Sequence, residues 1–284
     1  MKNNHLAFSY FLLLFNPFLL AAQSPAKSAG SSTKISDIFP KSNSTKNNRI
    51  LYQYGIAEAF IEGLYEGQLS VREIKQLGNF GIGAPNYVDG ELTIVDGKAY
   101  QSNAKGQTFE AKDDLKTPFV FVTTFSSKKA QLLLDVKTIS ELFARIDSLL
   151  PNRNGLFAIR IKGTFSAMST RAFPAVKATP YKPLAQFLDQ QHFFNYTDIE
   201  GEMIGFYMPG YLSGINITGP HFHFLSTDRK AGGHVIGLKA TRLSLEINEM
   251  TGIHLQAPQT KEFQNIKLKG TNSPSLKKIE TGNN

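Results

Sequence analysis

A chain of 284 residues, 41% of them apolar, can bury one large core or two ordinary ones. It contains no cysteine, which rules out disulfides and a lipidated N-terminus, so the fold must rely on packing alone. The formal charge of +8 admits an anionic partner, but the lysines are scattered and gather mainly near the two ends. That pattern reads as solubility or a bias toward anionic substrates, and a nucleic-acid-binding protein is the weaker reading.

Residues 1–23 carry Lys2, an apolar run from Leu6 to Leu20, and the small residues Ala21 and Ala22 followed by Ser24. This is the order of a secretory signal peptide, with cleavage expected between Ala22 and Ser24 and export to a periplasm or the medium. A membrane anchor fits less well, because Ser9, Asn16 and Pro17 interrupt the run and it is short for a span. Residues 24–48, rich in Ser, Lys, Asn and Gly, form a flexible leader.

The N-terminal half, residues 49–151, opens with a helical pattern over Ile56–Leu64. The capping box Ser70-Val-Arg-Glu73 starts a second helix that ends at Gly78. Four strand-like runs follow at Phe80–Gly83, Glu91–Val95, Lys98–Gln101 and Phe119–Phe125, separated by Gly, Asn and Asp turns. A second box, Thr138-Ile-Ser-Glu141, begins a helix that Pro151 stops; its apolar residues fall on one face, so it lies on a sheet. The C-terminal half, residues 152–256, has an alternating strand from Leu156, a short helix over Pro183–Gln191 and further strands to Gln256. The expected class is α+β: two sheet-based halves with a few helices packed on them. A weak echo between Val88-Asp-Gly-Glu-Leu92 and Ile199-Glu-Gly-Glu-Met203 points to an internal duplication. Residues 257–284 lose the strand pattern but keep Phe263, Ile266, Leu268, Leu276 and Ile279, anchors for a tail that returns to the active site.

The richest stretch is Gly219-Pro-His221-Phe-His223-Phe through Gly232-Gly233-His234, with three of the six histidines. Strand alternation places His221 and His223 on one face and Phe222 and Phe224 on the other. A loop over Thr227–Lys230 pairs Ser226 with Ala231 and sets His223 opposite His234. Three converging imidazoles with room for water describe a catalytic metal site of the open kind. Against this stands an ordinary hairpin with surface or core histidines. A cupin-like metal-binding module is a further alternative, but its usual Glu is missing between Phe224 and Lys230. His192 and His254 have no such partner pattern and read as structural.

The blocks Gly205-Phe206, Pro209-x-Tyr211, Gly214-Ile-Asn216, Gly219-x-His221-x-His223-Phe-Leu-Ser, Asp228-Arg229 and Gly232-Gly233-His234-Val resemble the metal-site region of α-acetolactate decarboxylases. Upstream, Gly81-Ile-Gly83-Ala-Pro-Asn86, Asp89-Gly-Glu91, Asp96-Gly97-x-x-Tyr100-Gln101 and Lys116-Thr-Pro-Phe119 are similar to further blocks in the same order. The resemblance implies decarboxylation of (S)-2-acetolactate to (R)-acetoin and CO2, with Zn2+ chelated by the keto and hydroxyl oxygens and stabilising the enediolate. It assigns His221, His223 and His234 to the metal, Glu91, Arg171 and Glu280 to catalysis, and a homodimer to the assembly. From the residues alone, Glu91 reads as a solvated turn carboxylate, Arg171 as a strand-end arginine and Glu280 as part of a polar tail. Ala84-Pro85 stands where many family members have Thr-Phe, so a hydroxyl near the substrate is expected to be absent.

Overall fold

The computed structural model describes residues 49–127 and 129–268. The expected signal peptide, the leader, and the end of the tail with Glu280 lie outside these residues. The first strands are β1 (Ile50–Tyr54), β2 (Leu69–Ser70), β3 (Phe80–Ala84), β4 (Glu91–Val95), β5 (Lys98–Ser102), β6 (Thr108–Glu110), β7 (Lys116–Thr117) and β8 (Phe119–Thr123). The remainder are β9 (Ala130–Val136), β10 (Leu156–Ala172), β11 (His192–Met208), β12 (Gly219–Ser226), β13 (Gly232–Met250) and β14 (Gly252–Gln256). Four α-helices accompany them among the described residues: α1 (Ala57–Ile61), α2 (Val71–Leu77), α3 (Ile139–Leu149) and α4 (Lys261–Asn265). None is long and apolar enough to cross a membrane.

One sheet has seven strands in the order β14-β1-β8-β3-β4-β5-β6; a second has five, β10-β11-β12-β13-β9. Because β10 pairs with both β11 and β13, and β12 bridges those two, four strands of the second sheet close into a ring. The central strands of the first sheet are buried on both faces, which is why they read as near-continuous apolar runs. Phe119 and Phe121 of β8 face the second sheet, while Val120 and Val122 join Val71 and Ile74 of α2 on the other side. Inside the second sheet, Phe157, Ile159 and Phe165 of β10 pack against Leu142 and Ile146 of α3.

The capping signals hold to different degrees. Ser70 Oγ accepts from the Glu73 N–H, and Glu73 Oε2 accepts from the Ser70 N–H at 2.8 Å, a complete reciprocal cap. At α3 the Thr138 hydroxyl accepts from the Glu141 N–H at 3.1 Å, but the Glu141 carboxylate reaches past it to the Lys137 N–H. Ser70→Ala is therefore expected to cost about 1 kcal/mol of unfolding free energy, read from the shift of a urea transition.

Three sequence expectations come out differently. The strands do not divide cleanly at Pro151: β9, from before it, edges the second sheet, and β14, from the later half, edges the first by pairing parallel to β1. The short helix expected at Pro183–Gln191 is a 3-10 turn, Leu184–Gln190. The two echoing pentapeptides adopt unlike structures, a turn with Gly90 at φ 82° in one and uninterrupted strand in the other.

Between the sheets, Arg160 on β10 donates to both oxygens of Asp96 at 3.0 and 2.8 Å and to Glu202 at 2.6 Å. The second Glu202 oxygen accepts from Arg229 at 2.7 Å. Hydrogen bonds from Arg160 hold the Asp96 carboxyl below its ordinary pKa.

Candidate active site

The β12–β13 hairpin has the register its turn residues imply. The Ser226 N–H donates to the Ala231 carbonyl at 2.9 Å, and His223 lies opposite His234. Ser226 Oγ donates to Asp228 and accepts from the Ala231 N–H, fixing the turn. The left-handed turn residue is Arg229 at φ 61°, not a glycine. Gly233, at φ 130°, is needed for space as well, since a Cβ there would sit 2.9 Å from the Arg171 carbonyl.

A β-bulge between β10 and β13 completes the site. Ser169 pairs with Gly237 but Thr170 pairs with Val235, leaving Ile236 as the extra residue. The slip of one brings His234 opposite Arg171, so that both side chains share a face. Arg171, His234 and His223 thus form a row across three strands, with His221 two residues from His223 on the same face.

The three imidazoles are buried, and one ring nitrogen from each lies within 4.8 Å of the others. His221 Nε2 and His234 Nδ1 are 3.1 Å apart. His223 Nδ1 lies 3.1 Å from the Leu92 carbonyl, which can only accept, so this nitrogen carries the proton and Nε2 presents its lone pair. Thr93 Oγ1, 3.3 Å from the same nitrogen, adds a second contact. From β4 on the opposing sheet, Glu91 places Oε2 at 3.3 Å from His223 Nε2 and Oε1 at 3.7 Å from Arg171 Nη1.

Burial, helped by the Arg171 charge, pushes His221 down to about 3. Burial also lowers His223 well below the usual histidine range; His221 and Arg171 add to the effect and the Leu92 carbonyl opposes it. Rings kept neutral in this way are the form a cation needs, and they fit a divalent metal ion.

Above the histidines is a cavity of about 40 Å³ whose apolar wall includes Phe60, Ala84, Val88, Phe119, Phe173 and Ile217. A larger open groove of about 510 Å³ lies on β9, β10 and β13, lined by residues such as Lys162 and Arg242. It holds none of the histidines or carboxylates, so the chemistry belongs to the smaller cavity.

The structure therefore brings together His221, His223, His234, Glu91 and Arg171. Glu280 lies outside the described residues. His192 starts β11 at the surface, and His254 packs on Tyr52 with ring centroids 5.8 Å apart; neither joins the cluster. Ala84 lines the cavity with a methyl group, in line with the hydroxyl missing at that position. Sequence reasoning missed Thr93, although it lies two residues from Glu91 and so on the same strand face. It also missed the buried pair in which Asn216 Nδ2 donates to Gln53 Oε1 at 2.7 Å, tethering the loop that carries Ile217.

Residues 51–270 match the family described as Alpha-acetolactate decarboxylase. The chain is 31% identical to the alpha-acetolactate decarboxylase of Brevibacillus brevis, covering 82% of this chain and 81% of that protein. It is 33% identical to the enzyme of the same name from Bacillus subtilis strain 168, covering 81% of this chain and 89% of that one. The crystal structure of alpha-acetolactate decarboxylase from Bacillus subtilis strain 168 superposes with a TM-score of 0.76 at 32% identity, over 82% of this chain and 98% of that chain.

Proposed function

The chain belongs to the alpha-acetolactate decarboxylase family, and we propose that it converts (S)-2-acetolactate to (R)-acetoin and CO2 in the cavity over His221, His223 and His234. Its class, a carbon–carbon lyase that decarboxylates acetolactate, follows from that membership. The observation that carries the detailed reading is the cluster of three buried imidazoles beside a buried Glu–Arg pair.

His221, His223 and His234 are the proposed ligands of Zn2+. When bound, the ion supplies a Lewis acid that stabilises negative charge developing on the substrate oxygens. Arg171 orients the substrate through charge-assisted hydrogen bonds from its planar fork. Loss of CO2 leaves a planar enediolate, and Glu91, set beside His223 and Arg171, delivers a proton to one face of it, which fixes the product's chirality. The apolar wall excludes water that would protonate the other face. Glu280 is proposed as a second carboxylate brought in by the tail. Export rests on the pattern in residues 1–23, and homodimeric assembly on the family resemblance.

The direct test is acetoin formation from acetolactate by protein beginning at Ser24. A strong chelator is expected to abolish turnover and zinc to restore it; full activity in the chelated protein would overturn the metal assignment. Metal binding without acetoin formation would favour the cupin-like alternative. Arg171→Lys keeps the charge but loses the fork, and is expected to lower activity by roughly tenfold or more with zinc content and melting temperature retained. Activity at the wild-type rate would reduce Arg171 to a structural role.

A further inference from the structure

The five side chains of the proposed site are all buried, and about 40 Å³ of cavity accommodates on the order of three waters. A five-carbon keto acid is a tight fit for that space, so a wall that yields would widen its entry. Much of that wall belongs to strands of the two sheets, whose ladders are costly to open. The loop bearing Ile217 is tied by the buried Gln53–Asn216 pair. Besides Phe60 of α1 and the turn at Val88–Gly90, what remains is the segment 173–190, which leaves the end of β10, contributes Phe173 and Leu184 to the wall and returns to β11.

This segment seats Phe173, Val176, Leu184 and Leu188 in the core and is tied on its outer side by polar contacts. The Tyr181 hydroxyl donates to Glu66 Oε1 at 2.7 Å, and the Tyr87 hydroxyl donates to Glu66 Oε2 at 3.2 Å. The Tyr65 hydroxyl donates to the Lys182 carbonyl, and the Val176 N–H to the Tyr87 carbonyl, both at 2.7 Å. Lys177 lies over the Tyr87 ring, its ammonium 5.9 Å from the centroid. Tyr87 and its neighbour Val88 both have left-handed backbone, at φ 65° and 58°, a costly state for a β-branched residue that must be held by its surroundings. Val88 itself lines the cavity, so the grip on Tyr87 reaches the wall through one peptide bond.

We propose that segment 173–190 is the door to the active site and that Glu66, gripping Tyr181 and Tyr87 at once, is its latch. The inference rests on the proposed function for what passes through the door, but not for the latch itself. Exposed hydrogen bonds between neutral and charged side chains are individually weak, so such a latch opens far more often than the sheets do. Glu66, Tyr87 and Tyr181 are positioning residues in this scheme and do not touch the substrate.

The test uses full-length, zinc-loaded protein carrying Tyr181→Phe or Glu66→Ala. Amide hydrogen exchange over 176–190 is expected to accelerate roughly tenfold, the factor equivalent to about 1.4 kcal/mol, while amides of β10 and β13 are unaffected. Zinc capture by an added chelator is expected to speed up by a similar factor. Glu66→Gln, which keeps two polar atoms facing the tyrosines, is expected to restore slow exchange. Arg145→Ala, a surface change on α3, is expected to leave exchange at 176–190 as it was. Unchanged exchange in both Tyr181→Phe and Glu66→Ala, or acceleration spread over the whole chain, would overturn the latch. If the wild-type protein retains no zinc, the proposed metal site fails, and the exchange measurement still decides the door.

Discussion

His223→Ala is expected to abolish most binding of the proposed zinc and to lower acetoin formation by about a thousandfold, the scale of losing a main charge-stabilising element. His223 is only 1% exposed, and its ring is aimed by the Leu92 carbonyl and Thr93 on one side and by pairing with His234 on the other. Truncation removes the ligand whose orientation is best determined and leaves His221 and His234 with too few donors for a tight site. The fold itself tolerates the change, because a neutral ring is lost and no buried charge is left behind. Metal analysis after gel filtration, together with an acetoin assay, reads both effects. Stoichiometric zinc in this variant, or in His221→Ala/His223→Ala, would remove the hairpin from the metal site. Thr93→Val, acting only through His223, is expected to weaken zinc binding by roughly ten- to a hundredfold.

Phe206→Ala carries the largest expected cost in stability, about 3–5 kcal/mol in urea unfolding. The ring is 0% exposed and stands on β11 against the first sheet, with centroids 5.6 Å from Phe80 and 4.9 Å from Phe121. Its ring partners Phe80 and Phe121 are themselves held in strands, so the space it leaves is filled only in part. The effect also reaches the site: His221 pairs with Phe206 across the ladder, and Phe121 lies 6.1 Å from the His221 ring. A loss below about 1 kcal/mol would mean that the Arg160 ion cluster, not the aromatic layer, holds the sheets together.

What the sequence revealed, and what it concealed, follows the range of the interactions. The His223–His234 pairing is local, decided by a turn whose residues are adjacent in the chain, and so was legible. The Ile236 bulge that turns Arg171 toward His234 was not, because a register slip leaves no mark in the alternation of a strand buried along most of its length. Family similarity pointed to Arg171 and Glu91, but the contact between them joins two sheets and depends on how these pack. Thr93 read as an ordinary strand residue because its role lies in a histidine 130 positions away. The exchange of β9 and β14 between the sheets was hidden for the same reason: edge pairing depends on which backbone is vacant nearby, not on side-chain pattern.

That exchange of edges sets an order on synthesis. As the chain leaves the ribosome, β1 emerges among the first described strands, yet one of its edges stays bare until β14 follows at Gly252–Gln256. β9 likewise waits for the middle of β13 before it has a neighbour. Neither sheet can be finished before β13 and β14 have been made, so fragments that stop at Pro151 are expected to precipitate instead of folding. Such long-range closure slows folding, and a nascent chain with two open strand edges is a natural client for a holding chaperone.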